Sequence, residues 1–420
     1  MSLLKSCLRG TVACALLVPF SVSIIRAQAP ALTTLYSFTG QDGDGASPYA
    51  GVILGADGSL YGTTAYGGTF GAGIVYQLSP PTSGGAWIES VLFSFTGGSD
   101  GGYPQGGVVL GAGGVLYGAT KAGGASGMGT VFALIPPAVS GGAWTEAAIY
   151  SFSGGDGATP YAGPIVSQYG TLFGTTELGG TLGYGTVYEL TPPESGGGWT
   201  GTILHNFASG SDGAFPYASL ATGTTGELYG TTAYGGSRQK GVVFQLTPPA
   251  KSGGVWKEAV IHTFNGTDGG FPYAGVAMGA NGSLYGTTPG GIGAGFGSAY
   301  ELTPPASGKT WEVTVLQKFT AGPKGGTPHA VLTFGQDGAL LGTDLSGGSA
   351  SEFTGNGLVF ELNPPVTGST WTETVLHTFQ GASDGGDPDA PLVPGPSGVF
   401  YGTTLRGGTF GQGTVFAITP

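Results

Sequence analysis

The five-residue word LYGTT, or a close variant of it, returns seven times, with its second residue at Tyr61, Tyr117, Phe173, Tyr229, Tyr285, Leu341 and Tyr401. The spacing is 56 residues five times and then 60, the last interval being stretched by the extension SASEFTGNG. A period of this size, held to the residue, marks a repeat architecture in which one supersecondary unit buries its faces against copies of itself.

Each copy divides into four strand-sized pieces bounded by turn residues, namely AGVILG, SLYGTT, GIVYQL and WIESVLFSF in the first, here strands a to d. The a-to-b joint reads as a tight hairpin, with glycine recurring at Gly58, Gly114, Gly170, Gly226, Gly282, Gly338 and Gly398, where the turn requires a positive φ. Strand c stops at a Pro-Pro pair such as Pro80-Pro81 or Pro192-Pro193, since proline has no N–H for a ladder. A Trp follows in six copies, at Trp87, Trp144, Trp199, Trp256, Trp311 and Trp371, and is read as a hydrophobic plug repeated once per unit rather than as a platform of indoles. Strand c carries Tyr76 and Leu78 on one face and Val75 on the other, so each sheet is expected to lie between two others.

The chain ends sharpen this. The strand d phrase VLFSF recurs as AIYSF, ILHNF, VIHTF, VLQKF and VLHTF, while a variant, TLYSF at 34–38, precedes any complete unit. The seventh copy stops after strand c, at GTVFAITP. A surplus strand at one end and a missing one at the other predict an all-β, seven-bladed β-propeller of four-stranded antiparallel blades, its ring closed by the N-terminal strand completing the last blade. A β-helix fits less well, because its coils are usually shorter.

With 88 Gly and 28 Pro in 420 residues the composition alone would suggest disorder, but 40% of the residues are apolar and the period is strict, which argues for a folded chain. Lys5 and Arg9 precede the apolar run TVACALLVPFSVSII, and RAQAPA follows it. Residues 1–29 read as a signal peptide cut after Ala29 or Ala31, the run being shorter than the roughly 20 residues of a membrane span. A single propeller domain then occupies 32–420, with no transmembrane segment once the leader is removed. Both cysteines, Cys7 and Cys14, fall in the leader, so the mature chain is expected to lack disulfides, thiolate metal sites and a Cys nucleophile. Loss of Lys5, Arg9 and Arg26 leaves nine basic against 24 acidic residues, which excludes nucleic acid and anionic membrane surfaces as partners and leaves glycans, peptides, metal ions or a protein open.

The pattern of LYGTT, a glycine pair, GTVFxLTPP and WTETVLxxF resembles the GloVer (Gloeobacter/Verrucomicrobia) tandem repeat proteins, from about residue 32 to the end. That resemblance implies a β-propeller of a bacterial exported protein, secreted, periplasmic or associated with the cell envelope. It implies no reaction and no catalytic residues. Members often carry a C-terminal sorting signal, whereas this sequence ends inside strand c without an apolar tail, so surface anchoring is not expected; a monomer is.

The longer b-to-c and d-to-a loops, TTAYGGTFGAG and TGGSDGGYPQGG in the first copies, share one face of the ring, where function usually lies. The d-to-a loop contains Asp-Gly at Asp44, Asp100, Asp156, Asp212, Asp268 and Asp384, with Lys324 in the seventh place. These carboxylates are read as caps of their own turns rather than as calcium ligands, and no metal site or cofactor is assigned. Five residues further on, where strand a enters the channel, stand Tyr49, Gln105, Tyr161, Tyr217, Tyr273, His329 and Asp389, followed by small residues such as Ala50, Ala162 and Ala274. Here the copies disagree, as a ring shaped for a ligand is free to do. Tyrosines around a funnel suit a sugar or another amphipathic ligand, and they equally serve as a plug of the pore.

Copies six and seven depart most from the pattern, through Lys324, His329, Leu341, Asp344, Glu352 and Asp389. His329, Asp387 and Asp389 are weak catalytic candidates, a base with carboxylate partners at the blade boundary. His205, His262 and His377 share a slot on strand d and read as rim packing. Walker loops, paired-His zinc motifs and nucleophile elbows are missing from the sequence. The leading function is an exported binding or scaffold protein with its ligand at the funnel and long-loop face. The alternatives are an extracellular polysaccharide-acting lyase or hydrolase using the same funnel, and a mainly structural envelope protein.

Overall fold

A computed structural model describes residues 29–420 except positions 83, 140, 195, 252, 293–294, 307–309, 321 and 350–354. The leader up to residue 28, with Cys7 and Cys14, and Glu352 lie outside the described residues. Seven four-stranded antiparallel sheets, each in the order a-b-c-d, form a seven-bladed propeller. The first blade consists of Ile53–Leu54, Leu60–Thr64, Ile74–Ser79 and Ile88–Ser94. All seven hairpin glycines have positive φ, between 77° and 96°.

Strand a is shorter than the six residues read from AGVILG. Only Ile53 and Leu54 pair, with Tyr61 and Leu60. The residues before them leave the ladder to cross to the axis, where their carbonyls are met from the preceding blade. Thr63 donates to the Gly106 carbonyl, and Thr175, Thr231, Thr287, Thr343 and Thr403 donate to those of Ala218, Ala274, Ala330, Ala390 and Ala50, all at 2.8–3.0 Å. The fourth letter of LYGTT is therefore an inter-blade clasp, and Ala119 in YGAT is the copy that lacks it.

The ring closes as the end strands require. Ala31–Ser37 pairs antiparallel with Thr414–Thr419 as the fourth strand of the seventh blade, Ala31 facing Thr419 and Ser37 facing Thr414. A register shift between Thr34 and Tyr36 repeats the one found between strands c and d in the other six blades.

Packing between blades follows one rule. The Phe that ends strand d meets the aromatic ring of strand c in the next blade, edge to face in six pairs and tilted in Phe319–Phe360: Phe38–Tyr76, Phe95–Phe132, Phe152–Tyr188, Phe207–Phe244, Phe264–Tyr300, Phe319–Phe360 and Phe379–Phe416, with centroids 5.0–5.3 Å apart. Each strand c ring also covers the glycine of LYGTT, where a Cβ at Gly62 or Gly118 would stand 2.4 Å from the Tyr76 or Phe132 ring system. Nothing larger than glycine fits beneath it. The indoles are plugs: Trp87, Trp144, Trp199, Trp256 and Trp311 lie edge-on against Tyr401, Tyr61, Tyr117, Phe173 and Tyr229 of the preceding blade at 5.7–6.4 Å. Leu341 follows from the same rule. The strand that completes the last blade brings Pro30 where the others bring Trp, so Leu341 packs in a cluster with Leu32 instead of an indole.

The Asp-Gly carboxylates cap their turns. Asp44 accepts from the Thr39 amide at 2.7 Å and the Tyr36 hydroxyl at 3.1 Å, and Asp156 accepts from Tyr150 and Ser153. His205, His262 and His377 do pack at the rim, edge-on to Phe207, Phe264 and Phe379, and each also faces an Asp-Gly carboxylate at 3.1–3.3 Å. On strand d, Glu89, Glu146, Glu258 and Glu373 each bury one carboxylate oxygen without a partner among the described residues. Burial pushes all four carboxyls up to about 7, and the neighbouring Asp44, Asp100 and Asp212 add repulsion at the first three.

Three outcomes are expected. Phe38→Ala, which empties a fully buried site at the closing seam, should cost about 3–5 kcal/mol, measured by denaturant unfolding. Tyr188 and Tyr300 bury hydroxyls that find no partner among the described residues, at a position filled by Phe132, Phe244 and Phe360 elsewhere, so Tyr188→Phe with Tyr300→Phe should leave stability unchanged or raise it by about 1 kcal/mol. A carboxyl whose folded pKa exceeds its unfolded value favours folding while protonated, so this contribution is complete below 4.5 and is lost as pH rises through about 7. Replacing the four glutamates with Gln should therefore raise the melting temperature on the alkaline side of that window and flatten its decline, by scanning calorimetry across pH.

Candidate functional site

The axial site is built by the seven d-to-a loops, which pair with the b-to-c loops on the long-loop face through short bridges such as Gly102–Ala122, Ala214–Tyr234 and Gly386–Arg406. Each d-to-a loop ends in a proline followed by one of the seven variable residues. In six copies the residue before that proline, Ser47, Tyr103, Thr159, Phe215, Phe271 or Asp387, is left-handed, with φ between 51° and 61°. That conformation is uncommon for non-glycine residues and disfavoured before proline. It persists because the amide of each donates to the preceding blade's b-to-c loop, at the carbonyls of Gln412, Ala72, Met128, Tyr184, Lys240 and Asn356, at 2.7–2.9 Å. The neighbouring blade thus holds the turn that aims the next side chain but one at the axis.

At the sixth loop, Asp344 takes over this task. It replaces the last Thr of LYGTT, is fully buried, and accepts from the amides of Thr327 at 2.8 Å and Ser346 at 3.2 Å; burial raises its pKa to about 6 against the pull of these bonds. Its strand c neighbour is Leu358, where four blades have a hydroxyl such as Thr130 or Thr186 and two have Ile74 and Val242.

All seven variable residues, Tyr49, Gln105, Tyr161, Tyr217, Tyr273, His329 and Asp389, line one cavity of about 340 Å³ together with Leu345 and Leu405. It adjoins a second space of about 330 Å³ that shares Gln105, Tyr161, Tyr217, Tyr273, His329 and Asp389 with it and adds small residues such as Ala50 and Ala162. The ring has an aromatic side and a polar one. Tyr161 meets Tyr217 at 5.4 Å, Tyr217 meets Tyr273 at 5.1 Å, and Tyr273 stacks on His329 at 5.4 Å and 24°. His329 Nδ1 then faces Asp389 Oδ1 at 3.1 Å. The Tyr217 hydroxyl donates to Glu177 at 2.9 Å, and those of Tyr273 and Tyr234 are 3.1 Å apart. The Lys121 ammonium sits 5.3 Å above the Tyr161 ring. Burial raises the pKa of Tyr161, Tyr217 and Tyr273, so these hydroxyls stay protonated. Across the cavity, the Gln105 Oε1 is buried without a partner among the described residues.

Of the three catalytic candidates, the fold brings His329 and Asp389 together. Asp387 turns instead to the largely exposed Arg406, at 3.3 Å. Burial raises the Asp387 pKa, opposed by Arg406. Sequence reasoning missed Lys121, Glu177, Leu345 and Leu405. Each directly follows a LYGTT word, at a position that varies among copies just as the axial ring does.

A family model described as the Gloeobacter/Verrucomicrobia repeat matches residues 21–225, 138–353 and 221–420. No curated protein matches the chain. Among solved structures, the extracellular domain of a proposed one-component system from B. thetaiotaomicron is 10% identical, with a TM-score of 0.52 over 93% of this chain and 42% of that one. A proposed 6-phosphogluconolactonase from Bacteroides uniformis is 14% identical, with a TM-score of 0.48 over 78% of this chain and 84% of that one. The Trypanosoma rangeli sialidase in complex with the inhibitor DANA is 12% identical, with a TM-score of 0.41 over 93% of this chain and 59% of that one. At these identities the first likeness is one of fold, and the other two carry no argument.

Proposed function

We propose that this chain, which belongs to the Gloeobacter/Verrucomicrobia repeat family, is an exported binding or scaffold protein that takes a neutral sugar in its axial funnel. The observation that carries this reading is that all seven variable residues following the d-to-a prolines line one cavity. Its volume is at the small end of ligand sites, its wall is aromatic on one side, and Gln105, His329 and Asp389 supply polar groups on the other. Tyrosine suits such a ligand because its ring offers an apolar face while its hydroxyl orients. The acidic chain disfavours anionic ligands. Export rests on the basic and apolar leader, which lies outside the described residues apart from its last residue. Among the described residues no helix is long and apolar enough to cross a membrane.

A second reading is favoured by the contact of His329 with Asp389. With Nδ1 engaged by the carboxylate, Nε2 is the nitrogen left to take a proton, which suits a polysaccharide lyase or hydrolase acting in the same funnel.

A glycan array, followed by a reducing-sugar assay on every hit, separates the two. Binding to neutral glycans should weaken at least about tenfold in a Tyr161→Ala, Tyr217→Ala variant, with no sugar released by the parent. Release that disappears in His329→Ala would establish the second reading, and a folded parent that binds no glycan would end both.

A further inference from the structure

Resting on the reading of the funnel as a sugar site, we infer that the ligand is a chain: one end of a neutral polysaccharide enters the funnel and the rest leaves across an arc of aromatic rings on its lip. Outside the axial ring, Tyr184 meets Phe215 at 5.7 Å, Phe215 meets Tyr234 at 5.9 Å, and Tyr234 meets Phe271 at 5.5 Å. Tyr234 is 37% exposed, and its hydroxyl lies 3.1 Å from that of Tyr273, so the arc is continuous with the funnel wall. The Lys240 ammonium, 4.8 Å over the Phe271 ring, covers the arc at that end.

Arc and funnel are two sides of the same backbone turns. Phe215 and Phe271 are the left-handed residues that precede Pro216-Tyr217 and Pro272-Tyr273, so one turn sets one ring on the lip and the next inside the funnel. On the opposite side of the mouth the equivalent position is Asp387, paired with Arg406, and the lip is charged. A ligand longer than the funnel that leaves by its mouth meets flat aromatic faces on the arc side and the Asp387–Arg406 pair on the other. The rings are held by edge-on neighbours and, at Phe215 and Phe271, by backbone bonds to the preceding blade, so little ordering cost accompanies contact with them. Aromatic faces flanked by glycines such as Gly179, Gly180, Gly235 and Gly236 suit the flat faces of sugar rings, and the acidic chain repels anionic polymers. A protein partner would lean instead on the exposed Leu182 beside the arc.

Calorimetric titration with neutral gluco-, xylo- and manno-oligosaccharides, from disaccharide to octasaccharide, tests this. Affinity should rise with length. Phe215→Ser should weaken the longest bound oligosaccharide about tenfold and leave the disaccharide unchanged, while Phe215→Tyr, which keeps the ring, restores the affinity for the long oligosaccharide and Leu182→Ser keeps parental affinities. Affinity independent of length, or an equal loss in Leu182→Ser, would overturn the chain inference and leave the funnel reading standing. A folded parent that binds none of these sugars would overturn the funnel reading itself. Near-ultraviolet circular dichroism of Phe215→Ser, matched to that of Phe215→Tyr, separates lost contact from lost fold.

Discussion

The contact on which the structure depends is the steeply inclined meeting of the Phe that ends one blade with the strand c ring of the next. It occurs seven times within a narrow range of distance, and every blade both offers and receives it. A sheet apolar on both faces has no stable isolated state, so burial is complete only when the last blade meets the first. Phe38 makes the closing contact although it lies at the opposite end of the sequence from the strands it completes. The glycine of LYGTT is the counterpart of that ring, since a side chain there would hold the sheets apart.

The axial site is a by-product of the same interfaces. Its side chains stand where they do because left-handed turns, unfavourable in isolation, are tied by amide hydrogen bonds to loops of the preceding blade. No single blade could hold this geometry. The uniform parts of the repeat build a rigid ring, and the variable residues that follow the d-to-a prolines gather at one end of the axis, where no packing rule obliges them to match.

Departures from the repeat have structural causes. Leu341 stands where no indole arrives, because the strand that completes the last blade comes from the other end of the chain and carries Pro30. Asp344 supplies loop bonds that the sixth d-to-a turn, lacking the left-handed residue, does not make for itself. The Asp-Gly carboxylates were legible as turn caps, but their histidine and tyrosine partners on strand d were not, because the two are separated by a turn whose path the sequence leaves undrawn. Glu177 and Lys121 were hidden for the same reason: they reach the funnel from b-to-c loops, whose nearness to the d-to-a loops follows from pairing between loops.

The sequence by itself determined the number of blades, the order of strands within each, the closure by residues 34–38 and the identity of the axial ring, because all of these follow from a period and from which positions break it. Strand a came out shorter than its apolar text, because convergence on the axis removes its partner. Only the tertiary structure decided that Tyr161, Tyr217 and Tyr273 form one continuous aromatic wall and that His329 meets Asp389 while Asp387 turns to Arg406. It alone decided, too, that an outer arc of rings continues the funnel. The reason is physical: periodicity specifies which positions are equivalent, whereas the direction of a side chain at the axis depends on hydrogen bonds from a neighbouring blade that local sequence does not contain.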